Sequence, residues 1–165
     1  LGMMGSGKSS IGFLVSKKLG LNFFDIDKYI EDKLNMKISN IFRLKGERFF
    51  REYEEKITLD ILKKKQIVVS LGGGAFLNKK IRNEVLKNHI SFWLRLNSDI
   101  IVSRIKNSPK RPMTLNMSNI ELKNMVKKRS KYYDKALLKI NCNNKTKTEI
   151  VDKIIGLYEN NQIIN

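Results

Sequence analysis

Apolar residues along the chain alternate between a helical rhythm and short unbroken runs, and that alternation predicts the architecture. Ile11, Leu14, Val15 and Leu19 fall on one face of a helix over 9–19, which Gly20 closes as a C-cap. A short strand over 22–25 follows, then helices over 27–35 and 38–44, then a long helix over 47–64. Residues 66–71, with Ile67, Val68 and Val69 at their centre, read as a buried parallel strand bounded by Gly72, Gly73 and Gly74. Helix 78–88, strand 91–96, helix 98–106, helix 120–137, edge strand 139–142 and helix 147–159 complete the series. Pro109 and Pro112 bracket a polar stretch that is the best candidate for a mobile loop. Strands alternating with helices predict an α/β fold, a parallel sheet with helices on both faces.

Composition narrows the class. At 165 residues and 41% hydrophobic content, the chain can build the core of one domain. It has no apolar run of about eighteen residues, so a transmembrane helix is excluded, and no signal peptide is visible at its start. One cysteine, Cys142, and one histidine, His89, exclude a disulfide framework and a multi-histidine metal site. The expectation is a cytoplasmic protein.

The net charge of +17 raises the question of a polyanionic partner. Lysine supplies 25 of the 33 cations, and its densest knots, 63–65 and 79–80, fall at helix ends or turns without interleaved aromatics. Solvated lysine is the better reading than a nucleic-acid surface. Against that background the eight arginines are informative, because an arginine more often occupies a place that needs a planar, forked cation.

The strongest motif is 2–9, G-M-M-G-S-G-K-S, which satisfies the P-loop pattern G-x-x-x-x-G-K-[ST]. Its glycines let backbone N–H groups face phosphate oxygens, Lys8 reaches the β/γ-phosphates, and the Ser9 hydroxyl takes a place on Mg²⁺. The following helix N-terminus adds a dipole that favours anions. A strand is expected to precede such a loop, yet only Leu1 does, so the first strand of the sheet is expected to be largely missing.

Three further groups carry chemistry. Asp25 and Asp27 stand at the carboxyl end of a strand, where one carboxylate can serve a metal's shell and the other an acceptor hydroxyl. The alternative is a helix cap, which Asp27 could provide by itself. Arg51 and Glu54, spaced i,i+3, form either an ordinary surface ion pair or a guanidinium oriented towards a substrate carboxylate. Gly72, Gly73 and Gly74 exceed what a turn needs, which suggests backbone lying too close to a ligand for a Cβ.

Taken together these residues resemble the shikimate kinases. The matching pieces are the P-loop, F-F-D-I-D at 23–27, G-E-x-x-F-R-x-x-E at 46–54, L-G-G-G at 71–74, R-P at 111–112 and K-K-R-S-K-Y-Y at 127–133. The resemblance implies an adenylate-kinase-like, three-layer P-loop kinase fold with a five-stranded parallel sheet in the order 2-3-1-4-5. It places a substrate-binding segment at about 26–56 and a lid at about 107–118 within a single domain over 1–165. The reaction implied is transfer of the γ-phosphoryl of ATP, with Mg²⁺, to the 3-hydroxyl of shikimate, a step towards aromatic amino acids. Shikimate is then the expected partner, with no specific nucleic acid and no membrane, and the expected state is a monomer.

Carried over by position, Gly5, Ser6, Gly7, Lys8, Ser9 and Ser10 bind ATP, Arg104 lies by the adenine, and Arg111 reaches the phosphates from the lid. Ser9 and, through water, Asp25 serve the metal. Asp27 contacts the ring hydroxyls and is the candidate base, so that Lys8, Asp27 and Arg111 form the catalytic set. Arg51 and Arg129 grip the carboxylate, Gly73 and Gly74 approach the ring, and Phe42 and Phe50 wall it. Two departures from the family stand out: Met113 and Thr114 replace a pair of leucines after the lid R-P, and 141–144 lacks an acidic residue. Competing readings are a related kinase of another hydroxylated acid such as gluconate, and a non-catalytic nucleotide-binding module.

Overall fold

The computed structural model describes residues 1–107 and 117–162. Pro109, Lys110, Arg111, Pro112, Met113 and Thr114, the heart of the expected lid, lie outside them. In chain order the elements are α1 (Lys8–Leu19), β1 (Asn22–Asp25), α2 (Ile26–Leu34), α3 (Ile38–Leu62), β2 (Ile67–Ser70), a 3₁₀ turn (Ala75–Leu77) and α4 (Lys79–Asn88). Then come β3 (Phe92–Arg95), α5 (Ser98–Lys106), α6 (Asn119–Tyr133), β4 (Leu138–Asn141) and α7 (Lys147–Gln162).

The expected alternation is present, and every connection between paired strands is a helical crossover. β1 pairs β2 in parallel, Asn22 opposite Ile67 through Asp25 opposite Ser70, and β3 pairs β4 in parallel, Phe92 opposite Leu138 through Arg95 opposite Asn141. The two pairs are not hydrogen-bonded to each other. Between β2 and β3 lies a cavity of about 300 Å³, walled by Val68, Ser70, Phe92 and Leu94 and floored by Ile11 and Val15 of α1. Leu1 sits at its edge in strand geometry: its amine donates to the Phe92 carbonyl at 2.7 Å and its carbonyl accepts from Leu94 N–H at 3.0 Å.

Local chemistry explains the element ends. Gly20 closes α1 with φ 66° and bonds back to the Lys17 and Ser16 carbonyls. The expected separation of 38–44 from the long helix is real. α3 is broken at Gly46, whose φ of 80° and ψ of 166° suit glycine alone, and the break turns the 38–45 piece against the rest. The helix expected over 120–137 stops at Tyr133, because Lys135 and Ala136 N–H turn back to the Tyr132 and Tyr133 carbonyls. That turn delivers Leu138 N–H to the Ser91 carbonyl at 2.9 Å and so starts β4. The 3₁₀ turn was not expected; it buries Ala75 and Phe76 completely beneath the glycine run. A continuous core joins Ile26, Ile30, Ile41, Phe76, Ile81, Leu122 and Ile140.

Candidate active site

The carboxyl ends of the strands gather two groups of residues. The first is the P-loop. Gly5 and Gly7 adopt φ of 81° and 89°, a backbone that side chains resist, and this curls the loop around its own interior. The Met3 carbonyl accepts from Ser6 N–H and from Lys8 Nζ, each at 3.1 Å. Gly7 is the N-cap of α1, with no side-chain cap and no acidic residue in the first turn, so the positive end of the helix dipole is uncompensated by protein. Ser6 is buried, and its hydroxyl has no partner among the described residues. Arg104 of α5 donates from Nη1 to the Gly5 carbonyl at 3.1 Å, which fixes α5 against the loop. A cradle of glycines, helix N-terminus, orphaned hydroxyl and lysine fits the phosphates of a nucleotide.

The second group is built from α2, α3, α6 and the turn after β2. Asp25 accepts Lys28 N–H at 3.1 Å and so is the cap of α2, leaving Asp27 free of the capping role that the spacing allowed it. Asp27 instead faces Gly72, where an added Cβ would lie 2.5 Å from its Oδ1 and 2.7 Å from Glu54 Oε1. Arg51 donates from Nη1 to Glu54 Oε2 at 2.7 Å and from Nε to Glu47 Oε1 at 3.3 Å. Glu54 is only 2% exposed, so this is not the ordinary surface pair that spacing left open. The Arg51 guanidinium also lies 5.1 Å from the Phe50 ring centroid and 5.8 Å from that of Phe42, and those two rings are 4.7 Å apart. Arg129 Nη1 donates to the Gly73 carbonyl at 3.3 Å.

The glycine run takes on a sharper meaning here. A Cβ on Gly74 would come within 2.5 Å of Arg51 Nη1, and one on Gly73 within 3.1 Å of the Met4 backbone nitrogen. The three positions are therefore closed by the protein's own carboxylates, guanidinium and P-loop, before any ligand is considered. Two site residues were not singled out by sequence reasoning. Glu47 extends the clamp on Arg51 one turn ahead of it, at i−4, a spacing that could have been read. Tyr133, four residues after Arg129, donates its hydroxyl to the Gly73 carbonyl at 2.5 Å.

The electrostatics follow from burial. Burial pushes the Asp27 carboxyl above the usual carboxylate range; Lys8 and Arg51 pull it back, and Asp25 adds to the rise. Glu54 is likewise raised, by burial first, with Arg51 opposing. Its Oε1 has no hydrogen-bond partner among the described residues. Burial works against the Arg51 charge, but Glu54 and Glu47 more than offset it and hold the guanidinium protonated. Burial pushes the Tyr133 phenol up to about 12, so it remains a donor at any physiological pH. Cys142 is buried beyond β4 and its thiol is pushed up to about 11, so it is inert packing.

Among the described residues no group of three or more His, Cys, Asp or Glu could hold a metal. Mg²⁺ needs no such cage, since it is commonly held by one or two protein oxygens and by phosphates, and Ser9 and Asp25 offer a hydroxyl and a carboxylate of that kind. The structure thus brings Asp27, Arg51, Glu54, Arg129 and Gly72 to Gly74 together, close enough to the P-loop for Lys8 to act on Asp27. Arg111 lies outside the described residues.

Comparison with known proteins bears on this arrangement. The family model described as shikimate kinase matches residues 4–159. The shikimate kinase of Sulfurihydrogenibium sp. (strain YO3AOP1) is 39% identical over 155 residues, covering 94% of this chain and 93% of the relative. The structure of the Acinetobacter baumannii shikimate kinase in complex with shikimate superposes with a TM-score of 0.91 at 28% identity, over 97% of this chain and 90% of that one. The Aquifex aeolicus shikimate kinase gives 0.88 at 32% identity, over 98% and 95%.

Proposed function

The chain belongs to the shikimate kinase family, and on that premise we propose how its two groups of residues divide the ATP-dependent phosphorylation of shikimate. The P-loop, through Gly5, Ser6, Gly7, Lys8, Ser9 and Ser10, cradles the triphosphate of ATP, with Arg104 beside the adenine and Arg111 closing on the phosphates. Ser9 and, through water, Asp25 would hold Mg²⁺, which supplies neutralisation of phosphate charge. Arg51 and Arg129 fork onto the shikimate carboxylate, Phe42 and Phe50 wall the ring, Gly73 and Gly74 lie along it, and Asp27 takes its hydroxyls.

The observation that carries this reading is the half-buried Arg51, clamped by the buried Glu54 and set beside Asp27 and the triple glycine. A guanidinium so held keeps its fork ready for a carboxylate, which a mobile surface arginine does not. In the transfer, a bond forms between the 3-oxygen and the γ-phosphorus while the bond from that phosphorus to the β,γ-bridging oxygen breaks. The hydroxyl proton passes to Asp27, whose raised pKa suits a group that accepts a proton late. Lys8 meets the charge on the phosphoryl oxygens.

The same proposal covers the architecture at finer grain. β1 and β2 would be the second and third strands, and β3 and β4 the fourth and fifth, of a 2-3-1-4-5 sheet, and the slot between β2 and β3 has the apolar floor that a central strand needs. A substrate-binding segment at about 26–56 and a lid at about 107–118 belong to one domain, acting as a monomer in the cytoplasm without nucleic-acid or membrane partner. Among the described residues no helix is long and apolar enough to cross a membrane.

ADP release measured with shikimate, with gluconate and with no acceptor tests the substrate. Turnover is expected with shikimate alone; equal turnover with gluconate, or without acceptor, would overturn the reading.

A further inference from the structure

Tyr133 is among the largest side chains in the protein that are wholly buried, and it stands where three functional segments meet. Its hydroxyl donates to the Gly73 carbonyl at 2.5 Å and lies 3.9 Å from Met3 Sδ in the P-loop. The same Gly73 carbonyl accepts from Arg129 Nη1 at 3.3 Å, and the Arg129 backbone is one helical turn before Tyr133 on α6. A peptide group is planar and trans, so a carbonyl held on one side fixes the next N–H on the other. The Gly73 carbonyl is held towards α6, and the Gly74 N–H therefore points away from it.

We infer that Tyr133 is a positioning residue for the acceptor site: its hydroxyl orients the Gly73–Gly74 peptide and sets Arg129 beside it, so that shikimate meets N–H and guanidinium donors already in place. The inference rests on the assignment of Arg51 and Arg129 to the acceptor's carboxylate and of Gly73 and Gly74 to its ring. Without the phenol, Gly73 keeps only the longer bond from Arg129, and that arginine is drawn from substrate towards the backbone. The burial that pushes the phenol up to about 12 also keeps it a donor across the working pH range.

Tyr133→Phe removes one donor and keeps the ring. The shikimate KM should rise about 5-fold, the worth of one hydrogen bond, with kcat and ATP KM little changed and Tm lowered by about 2–5 °C for the lost internal bond. A merely structural role would lower Tm and reduce kcat through loss of active protein, with both KM values unmoved, and that pattern would overturn the inference. Should phenylalanine leave the chain unfolded, 4-fluorophenylalanine placed at 133 fills the same volume without donating, and 3-fluorotyrosine there restores the donor. The first must show the raised shikimate KM and the second must lose it; equal behaviour of the two overturns the assignment. Arg129→Ala serves as the control. If it raises the shikimate KM while Tyr133→Phe does not, the role of Tyr133 alone fails. If neither moves it, the acceptor-site reading fails as well.

Discussion

The two ends of the site are built in opposite ways. The nucleotide end is built around one continuous stretch of chain, a glycine-curled loop running into a helix, with Lys8 turned on the Met3 carbonyl and Arg104 reaching the Gly5 carbonyl from α5. The acceptor end is assembled from α2, α3, α6 and the turn after β2, and it buries charge. Asp27, Glu54 and Arg51 are packed against glycines that admit no Cβ. Phosphate is a generic ligand that backbone N–H groups and a dipole can hold. A specific acid with a carboxylate at one end and hydroxyls at the other needs donors and acceptors at fixed separations, and only packing across several elements fixes them. Discrimination should therefore live at the acceptor end, and damage there should spare nucleotide binding.

The largest effect should come from Asp27→Asn. Transfer should fall by about 10²–10⁴-fold, the range for loss of a general base, while the ATP Kd stays within about 2-fold of the parent value by calorimetry. Retention of most of the kcat would remove Asp27 as base; a matching loss of ATP affinity would dissolve the separation of the two ends. Arg51→Lys comes next. Lysine cannot fork onto a carboxylate or satisfy Glu54 and Glu47 together, so the shikimate KM should rise about 10-fold with the ATP KM little moved. Equal rises in both would sink the assignment.

The difference between the ends also decides what the sequence made legible. The P-loop is local, so its pattern names its residues and its geometry at once, and Gly20 and the strand at 22–25 could be read for the same reason. The acceptor end is non-local. Spacing left Arg51–Glu54 open between surface and site, because nothing within 51–54 tells that Glu54 is buried under Gly72; that fact comes from the turn after β2 packing on α3. Spacing allowed Asp27 to cap the next helix by itself, and only the backbone of α2 shows that Asp25 does so. Tyr133 was hidden in a lysine-rich run, since its partner Gly73 is 60 residues away. The end of α6 was overrun because Ala136 and Leu137 continue the apolar rhythm after the hydrogen bonding has turned. Resemblance to a family carried the acceptor residues where periodicity could not.

A smaller effect tests the scaffold of the acceptor end alone. Gly46 lies in open space, with nothing within 4 Å of an added Cβ, so Gly46→Ala meets no clash. It meets strain, because φ 80° with ψ 166° is costly for any L side chain, about 1–3 kcal/mol. A loss of about 2–10 °C in Tm is expected by calorimetry. Since the piece before the break carries Phe42 against Phe50, the shikimate KM should rise as well, and the ATP KM should not. A Tm unchanged within error would mean that α3 runs straight through this point in solution.

The smallest effect is in stability against pH, and its sign follows from burial. Asp27 and Glu54 both titrate above their usual range in the folded chain, burial being the first cause for each. Between the usual value, about 4, and the raised one, the folded state holds a proton that the unfolded state has released. Stability contributed by these groups is thus fully present at low pH and is lost as pH rises through the raised values. Burial makes a charged Asp27 carboxylate unfavourable, and it lies near a Glu54 oxygen that has no hydrogen-bond partner among the described residues. Asp27→Asn should then raise Tm at pH 8 by about 2–4 °C, roughly 1 kcal/mol, and the gain should shrink towards zero as pH falls to about 4. The P-loop is tied into this balance, because Lys8 pulls the Asp27 carboxyl back down; Lys8→Met should push it further up and make Tm fall more steeply with rising pH. A Tm gain for Asp27→Asn that is the same at pH 4 and pH 8 would show that the substitution acts through packing, and the electrostatic difference between the two ends would fall with it.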